Sequence, residues 1–431
     1  MNFGMGGRMQ PMLRAMRSRN YRLFFIGQGI SLVGTWMTQT AAIWLVYHLT
    51  NSAWLLGVVG FASQFPNFLL TPFAGVMVDR WSRHRTIVIT QVLAMIQSLT
   101  LATLVLTGTI QFWQIVALSV FQGCINAFDM PARQAFVIQL VERPEDLSNA
   151  IALNSSLFSS ARLIGPAIAG LVIATAGIGA CFLIDGLSYI AVIAGLLAMQ
   201  LTPAQTRSQL KHPHLWQQLQ EGLSYTFGFP PIRAILLLIA LVSFVGMPYM
   251  TLAPIFAQEV LQGDATTLGL LMAASGLGAL IAAVYLSSRS NILGLGRVIA
   301  IAPAMFGLAL LVFARSQVLW LSVLAMILLG SSLILQHTSS NTILQTIVEE
   351  DKRGRVMSFY MMAFTSMSTF GNLLAGAIAS RIGAPDTLLI GGGFCILGSV
   401  LFYRQLPTMR QFIHPIYRQI GLLPRAKPGL G

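Results

Sequence analysis

Three ionisable residues, Asp129, Arg162 and Asp185, stand inside long apolar runs. A charge at the middle of a membrane helix costs roughly 2.5–3.5 kcal/mol on insertion scales, so each needs a reason to be there. Arg162 shares a helix face with Ser155, Ser159 and Pro166, and that proline frees a backbone carbonyl. Such a guanidinium either holds an anionic group or pairs with Asp129 or Asp185. Asp129 and Arg133 are spaced i, i+4, which equally fits a salt bridge at a gate. For Asp185 a proton-binding role and a satisfied buried carboxylate stand level. Around these residues run polar stripes of helical period. Ser119, Gln122, Asn126, Asp129 and Arg133 make one, although Pro131 can bend it. Gln28, Ser31, Thr35 and Gln39 make a second. Ser332, Gln336 and Ser339 make a third, with His337 and Asn341 nearby. Stripes of Ser and Thr commonly glue helices together, whereas Gln, Asn and Asp point to a cavity. A lone helix histidine such as His337 most commonly packs.

These stripes must be carried by membrane helices. Of 431 residues 55% are hydrophobic and 9% charged, with a mean hydropathy of +0.73, whereas a soluble domain is about a quarter charged. Twelve apolar runs are long enough to cross a bilayer core of about 30 Å. They lie near 22–48, 54–78, 86–107, 111–133, 149–175, 180–200, 233–258, 266–287, 297–314, 317–346, 356–380 and 386–403. None shows the strict alternation of a membrane β-barrel. An all-α integral membrane protein follows, because a lipid-facing backbone must satisfy its own hydrogen bonds.

Charge fixes the expected orientation. Arg8, Arg14, Arg17, Arg19 and Arg22 precede the first run, and the opposite loops hold only Arg315 and Arg381. Both termini are therefore expected in the cytoplasm. The net charge of +13 reads as the positive-inside signal and as attraction to anionic membrane lipid, not as nucleic-acid binding. The first run is too long for a signal peptide and is expected to be retained. Trp54, Trp113 and Trp320 at outer ends and Trp81 at an inner edge read as interfacial anchors. Cys124, Cys181 and Cys395 sit at unrelated spacings, so neither a disulfide framework nor a metal site is expected. No nucleotide loop or nucleophile constellation is present, and no cofactor or enzymatic activity is expected.

Six runs, a polar segment and six more runs divide the chain. The expected parts are a cytoplasmic segment 1–21, a bundle 22–200, a linker 201–232, a bundle 233–405 and a tail 406–431. Within the linker, Leu215, Leu219 and Leu223 line one side of an amphipathic helix suited to the inner interface. The halves also echo each other. Gln139-Leu-Val-Glu142 returns as Gln345-Thr-Ile-Val-Glu349, and Gly165 with Ala169-Gly170 returns as Gly371 with Ala375-Gly376. Two pseudo-symmetric bundles arising by duplication are the expected architecture.

The most specific motif is Gly75-Val-Met-Val-Asp79-Arg80-Trp-Ser82-Arg83-His84-Arg85 between the second and third runs. It resembles the signature of the major facilitator superfamily, with Ser82 in place of the usual glycine and His84 in place of a basic residue. Asp129-Met-Pro131-Ala-Arg133-Gln134, Asn149-Ala-Ile-Ala-Leu153-Asn154 and Ala161-Arg162-Leu-Ile-Gly165-Pro166 resemble one bacterial branch, the transmembrane secretion effectors. That branch includes enterobactin-type siderophore exporters and macrolide-efflux relatives. Ser119 stands where many drug/proton antiporters of the superfamily carry arginine.

The resemblance implies a major facilitator fold in a bacterial inner membrane, working as a monomer by alternating access. It implies an inner gate of Gly75, Asp79, Arg80, Arg83, Arg85, Arg133 and Arg355, with Asp79 latching near Arg355. It also implies a cavity lined by spans 1, 4, 7 and 10, with Gln28, Thr35, Gln39, Asn126, Arg162, Gln336 and Asn341 as candidate lining residues. Asp129 and Asp185 are the candidates for proton coupling. The implied activity is export of a siderophore or amphiphilic drug-like molecule, driven by protons. Uptake, translocation of a lysophospholipid and a non-transporting scaffold are the alternatives.

Overall fold

The computed structural model describes residues 14–141, 143–200, 224–289 and 291–419. Most of the linker and the end of the tail fall outside them, as does Glu142. The side chains of Gly75, Asp79 and Arg80 are also outside the description. Among the described residues there are twelve long helices and no strand. They are α1 (Arg19–Thr50), α2 (Ala53–Arg80), α3 (Arg83–Leu106), α4 (Phe112–Leu140), α5 (Leu147–Ala176) and α6 (Ile178–Leu197). Then follow α7 (Pro230–Val260), α8 (Ala265–Ser287), α9 (Leu295–Arg315), α10 (Leu319–Ile347), α11 (Glu350–Ile382) and α12 (Ala384–Gln419). Ten of these are long and apolar enough to cross a membrane. The other two, α1 and α11, are diluted by polar residues, α1 by its stripe and α11 by charges in its first turns.

Local chemistry sets the helix ends. Ser18 and Ser52 cap α1 and α2 by accepting from the amides of Tyr21 and Leu55. Gln111 and Gln114 form a reciprocal capping box at the start of α4. Gly177 separates α5 from α6 at φ 85°, and Gly383 separates α11 from α12 at φ 89°. Only glycine takes that backbone without strain, and the two positions are 206 residues apart. Expected as one run, α7 is broken among the described residues at Gly246-Met-Pro248, because Pro248 lacks the amide that would continue the ladder. It closes in a π turn over Phe256–Val260.

The described chain forms two compact units. Unit 1 comprises Met1–Thr206 and Ala253–Gly276, and unit 2 comprises Arg207–Leu252 and Leu277–Gly431. In unit 1, α1 packs on α5 and α6, α3 packs on α4 and α6, and α2 packs on α4. In unit 2 the same partners recur six helices on, α7 with α11 and α12 and α9 with α10 and α12. Gly165 shows why. A Cβ there would lie 2.9 Å from the Val33 carbonyl oxygen of α1 and collide with Trp36, while one on Gly371 would collide with the backbone of Phe244 in α7. The repeated glycine is what lets each fifth helix meet its first. Tyr21, Phe24, Ile87, Phe136 and Val192 build a core in unit 1, and Ile235, Ile299, Leu344, Tyr360 and Phe402 build one in unit 2. Leu183, Ile184, Leu187 and Ile190 on α6 are exposed, as are Trp113 and Trp320. An apolar exterior of this extent suits lipid.

Candidate functional site

Asp129 is buried on α4 and fully engaged. One carboxylate oxygen accepts from Thr90 Oγ1 at 2.7 Å and from Gln91 Nε2 at 2.9 Å, while the other pairs with Arg133. These are charge-assisted bonds, the strong kind. Thr90 and Gln91 come from α3 and were not foreseen. Their signal was the seven-residue recurrence of Thr90-Gln91 as Gln97-Ser98, which puts four polar residues on one buried side of α3. Asp185 on α6 is 2% exposed and differently placed. Its Oδ2 accepts from Ser98 Oγ at 3.0 Å, its Oδ1 has no partner, and among the described residues it makes no ion pair. Gly34 of α1 leaves room for it, since a Cβ there would sit 2.6 Å from Oδ1. Ionising a carboxyl in such a place carries the desolvation cost of an unpaired charge.

Arg162 on α5 is half-buried. Its guanidinium lies 5.6 Å from the centre of the Trp36 ring, and Phe158 meets Trp36 edge-on at 5.6 Å. Its Nε is buried without a partner, and among the described residues no carboxylate pairs with it. Asp129 is taken by Arg133, and Asp185 by Ser98. On α1, Gln28 is 1% exposed with its Oε1 unpartnered, whereas Thr35 and Gln39 are exposed. Asn126 accepts from Gln122 at 3.1 Å within α4.

Of the inner-gate set, Arg83 donates to the Ala135 carbonyl at 3.4 Å, Arg85 is exposed and Arg355 is half-buried on α11. Trp81 stacks on Phe128. A pair that the sequence did not signal sits elsewhere in unit 1, where Tyr47 at the end of α1 donates to Glu259 in the π turn of α7. Nearby, Gly170 of α5 meets Ala265, Thr266 and Gly269 of α8 backbone to backbone.

Unit 2 holds a polar segment on α10. Ser332 Oγ, Gln336 Nε2, His337 Nε2, Ser339 Oγ and Ser340 Oγ are all buried without hydrogen-bond partners among the described residues. Each such orphan costs roughly 1–3 kcal/mol unless something satisfies it. Asn341 accepts from Gln345 at 2.6 Å. The His337 ring is flanked by Tyr360 and Phe364, at 5.0 and 4.7 Å between centres, and Tyr360 donates to the His337 carbonyl at 2.8 Å. A small hollow opens here, lined by Ile239, Val242, Ser243, Leu333, Gln336, His337 and Phe364. Among the described residues no group of three or more His, Cys, Asp or Glu could hold a metal ion.

The profile of a family described as transmembrane secretion effector matches residues 11–415. The chain is 26% identical over 385 residues to the staphyloferrin A transporter of Staphylococcus aureus, covering 89% of this chain and 95% of that protein. It is 23% identical over 383 residues to macrolide efflux protein A of Streptococcus pyogenes, covering 88% and 94%. It is 25% identical over 400 residues to the enterobactin exporter EntS of Escherichia coli, covering 91% and 93%. Among solved structures, the nucleoside transporter NupG superposes with a TM-score of 0.70 at 14% identity, over 90% of this chain and 99% of that one. A bacterial homologue of the iron transporter ferroportin does so at 0.68 and 17%, over 90% and 98%.

Proposed function

Because the chain belongs to the transmembrane secretion effector family of the major facilitator superfamily, whose members are membrane transporters, we propose that it exports a siderophore or an amphiphilic drug-like molecule in exchange for protons. It is a multi-pass membrane protein of the major facilitator fold. The observation that carries the proposal is that two ionisable groups within the helices of unit 1, Arg162 and Asp185, have no ionic partner among the described residues. A membrane protein that buries such groups, each costly, reserves them for something that arrives and leaves. Arg162 with Trp36 and Phe158 takes the anionic or aromatic part of the cargo, and Asp185 takes the proton. Asp129, tied to Arg133, Thr90 and Gln91, serves as a positioning residue. Export as the direction is supported by two of the relatives, an exporter and an efflux protein. The protein works as a monomer in a bacterial inner membrane with both termini cytoplasmic, by alternating access. The proton acts by favouring one state over the other, which requires different affinities for it in the two.

The test is a panel of fluorescent dyes and siderophores in proteoliposomes under an imposed pH gradient. Wild type is expected to move at least one compound only when the gradient is present, and Arg162→Ala is expected to lose that movement. If no compound moves under any gradient, or if Arg162→Ala equals wild type, the proposal is wrong. Inside-out vesicles separate export, which accumulates the compound, from uptake.

A further inference from the structure

Asp185 is 2% exposed, so a proton bound there must be passed on by the side chains around it. Ser98 bonds it, but the same hydroxyl also meets the Phe182 carbonyl at 2.9 Å. A peptide carbonyl has no proton to hand on, so that side is a dead end. Tyr189 lies on the other side. It stands one turn after Asp185 on α6, and helical side chains lean towards the preceding turn. Its ring is buried with Ala94 and Ile125. Ala94 lies midway on α3 between Thr90, which bonds Asp129, and Ser98, which bonds Asp185. Ile125 lies one turn before Asp129 on α4. Tyr189 therefore occupies the interval between the two carboxylates, which two turns of α3 hold about 12 Å apart. Its hydroxyl faces Thr35 of α1, within electrostatic reach of Asp185, Asp129 and Arg133. Thr35 is exposed and Arg133 partly so, which opens this end of the tyrosine to water.

We propose that Tyr189 is the relay that passes the proton between Asp185 and water at the edge of the Asp129–Arg133 pair. In the outgoing step the Asp185 carboxyl gives its proton to the phenol oxygen while the phenol O–H proton leaves to that water. No more than one water bridges either gap. Asp185 is left as a carboxylate, Tyr189 is neutral before and after, and a hydrated proton stands beside Asp129. The incoming step is the reverse. A hydroxyl suits the task because one atom both accepts and donates. The Asp129 carboxylate, still paired with Arg133, attracts the hydrated proton. The buried side chains that α1 and α3 bring to this region are uncharged, and Arg162 of α5 is held on Trp36. The relay rests on the reading of Asp185 as the proton site, and it names the residue that sets how fast that site fills and empties.

The test follows the proton itself, in the full chain in nanodiscs with no cargo present. A protonated carboxyl shows an infrared C=O stretch that a carboxylate lacks, and the band missing from Asp185→Asn is that of Asp185. A rapid pH step then times the loss and return of this band. Tyr189→Phe removes only the hydroxyl and is expected to slow both at least about tenfold. The pH at which the band titrates should stay where it is in wild type. Tyr21→Phe removes a buried hydroxyl bonded to the Ala150 carbonyl elsewhere in unit 1, and is expected to match wild type in rate and titration. Wild-type rates in Tyr189→Phe would overturn the relay and leave Asp185 standing as the proton site. A slowing shared by Tyr21→Phe, or one accompanied by a shifted titration, would mean that Tyr189 acts through packing or charge, and would also overturn it. If no band separates wild type from Asp185→Asn at any pH, the proton reading itself fails and the relay falls with it.

Discussion

Asp129 and Asp185 look alike in the sequence, each a lone carboxylate in an apolar run, and the structure treats them oppositely. Asp129→Asn would leave the Arg133 guanidinium, largely buried, without its partner, and is expected to destabilise by about 3 kcal/mol. Asp185→Asn breaks no ion pair among the described residues and keeps a group able to meet Ser98, so stability should change by less than about 1 kcal/mol. Thermal unfolding of both purified variants checks the contrast; equal losses would mean that the pairing of Asp129 carries no weight. The i, i+4 spacing of Asp129 and Arg133 was legible because partners on one helix are fixed by its period. Thr90, Gln91 and Ser98 were not, because which helix lies beside which is a matter of packing. For Arg162 the alternatives of an anion site and an ion pair were open, and the structure leaves the guanidinium on Trp36 with no carboxylate pairing among the described residues.

Helix existence was legible throughout, since a run of about 20 apolar residues has few other uses. The break in α7 was written in Gly246 and Pro248 but hidden by reading hydropathy over long windows. The π turn after it has no comparable local signature. Glycine positions give the element-scale prediction. Gly371→Ala drives a methyl into the Phe244 backbone of α7 and is expected to cost about 1–3 kcal/mol by overpacking. Gly393→Ala, in α12 with nothing within 4 Å of the new Cβ, is expected to be neutral or stabilising by up to about 1 kcal/mol. Melting temperatures of the two variants should move apart; a Gly371→Ala protein as stable as wild type would mean that the α7–α11 contact is loose. A second element-scale prediction concerns Tyr47→Phe, which removes the hydroxyl that Glu259 accepts from. It should loosen the Ala253–Gly276 segment, seen as faster labelling of a cysteine placed at Gln262 in a background lacking the three native cysteines. An unchanged labelling rate would remove that bond from the account.

At the scale of the whole chain, the two-fold repeat was legible from a few short echoes, and the structure extends it to Gly177 and Gly383 and to the matching helix partners in each unit. The assignment of Ala253–Gly276 to unit 1 was not legible, because composition carries no record of which neighbours a helix end will choose. The charge pattern predicts that Ser82→Cys, between α2 and α3, is labelled from the cytoplasm only, and that Thr109→Cys, between α3 and α4, is labelled from outside. The reverse pattern would invert the topology. The central claim is that a proton on Asp185 drives the cargo, and the direct measurement is accumulation of a transported compound in proteoliposomes with and without a pH gradient. Asp185→Asn should still equilibrate the compound down its own gradient but lose pH-driven accumulation entirely. Accumulation by Asp185→Asn at the wild-type level would contradict it.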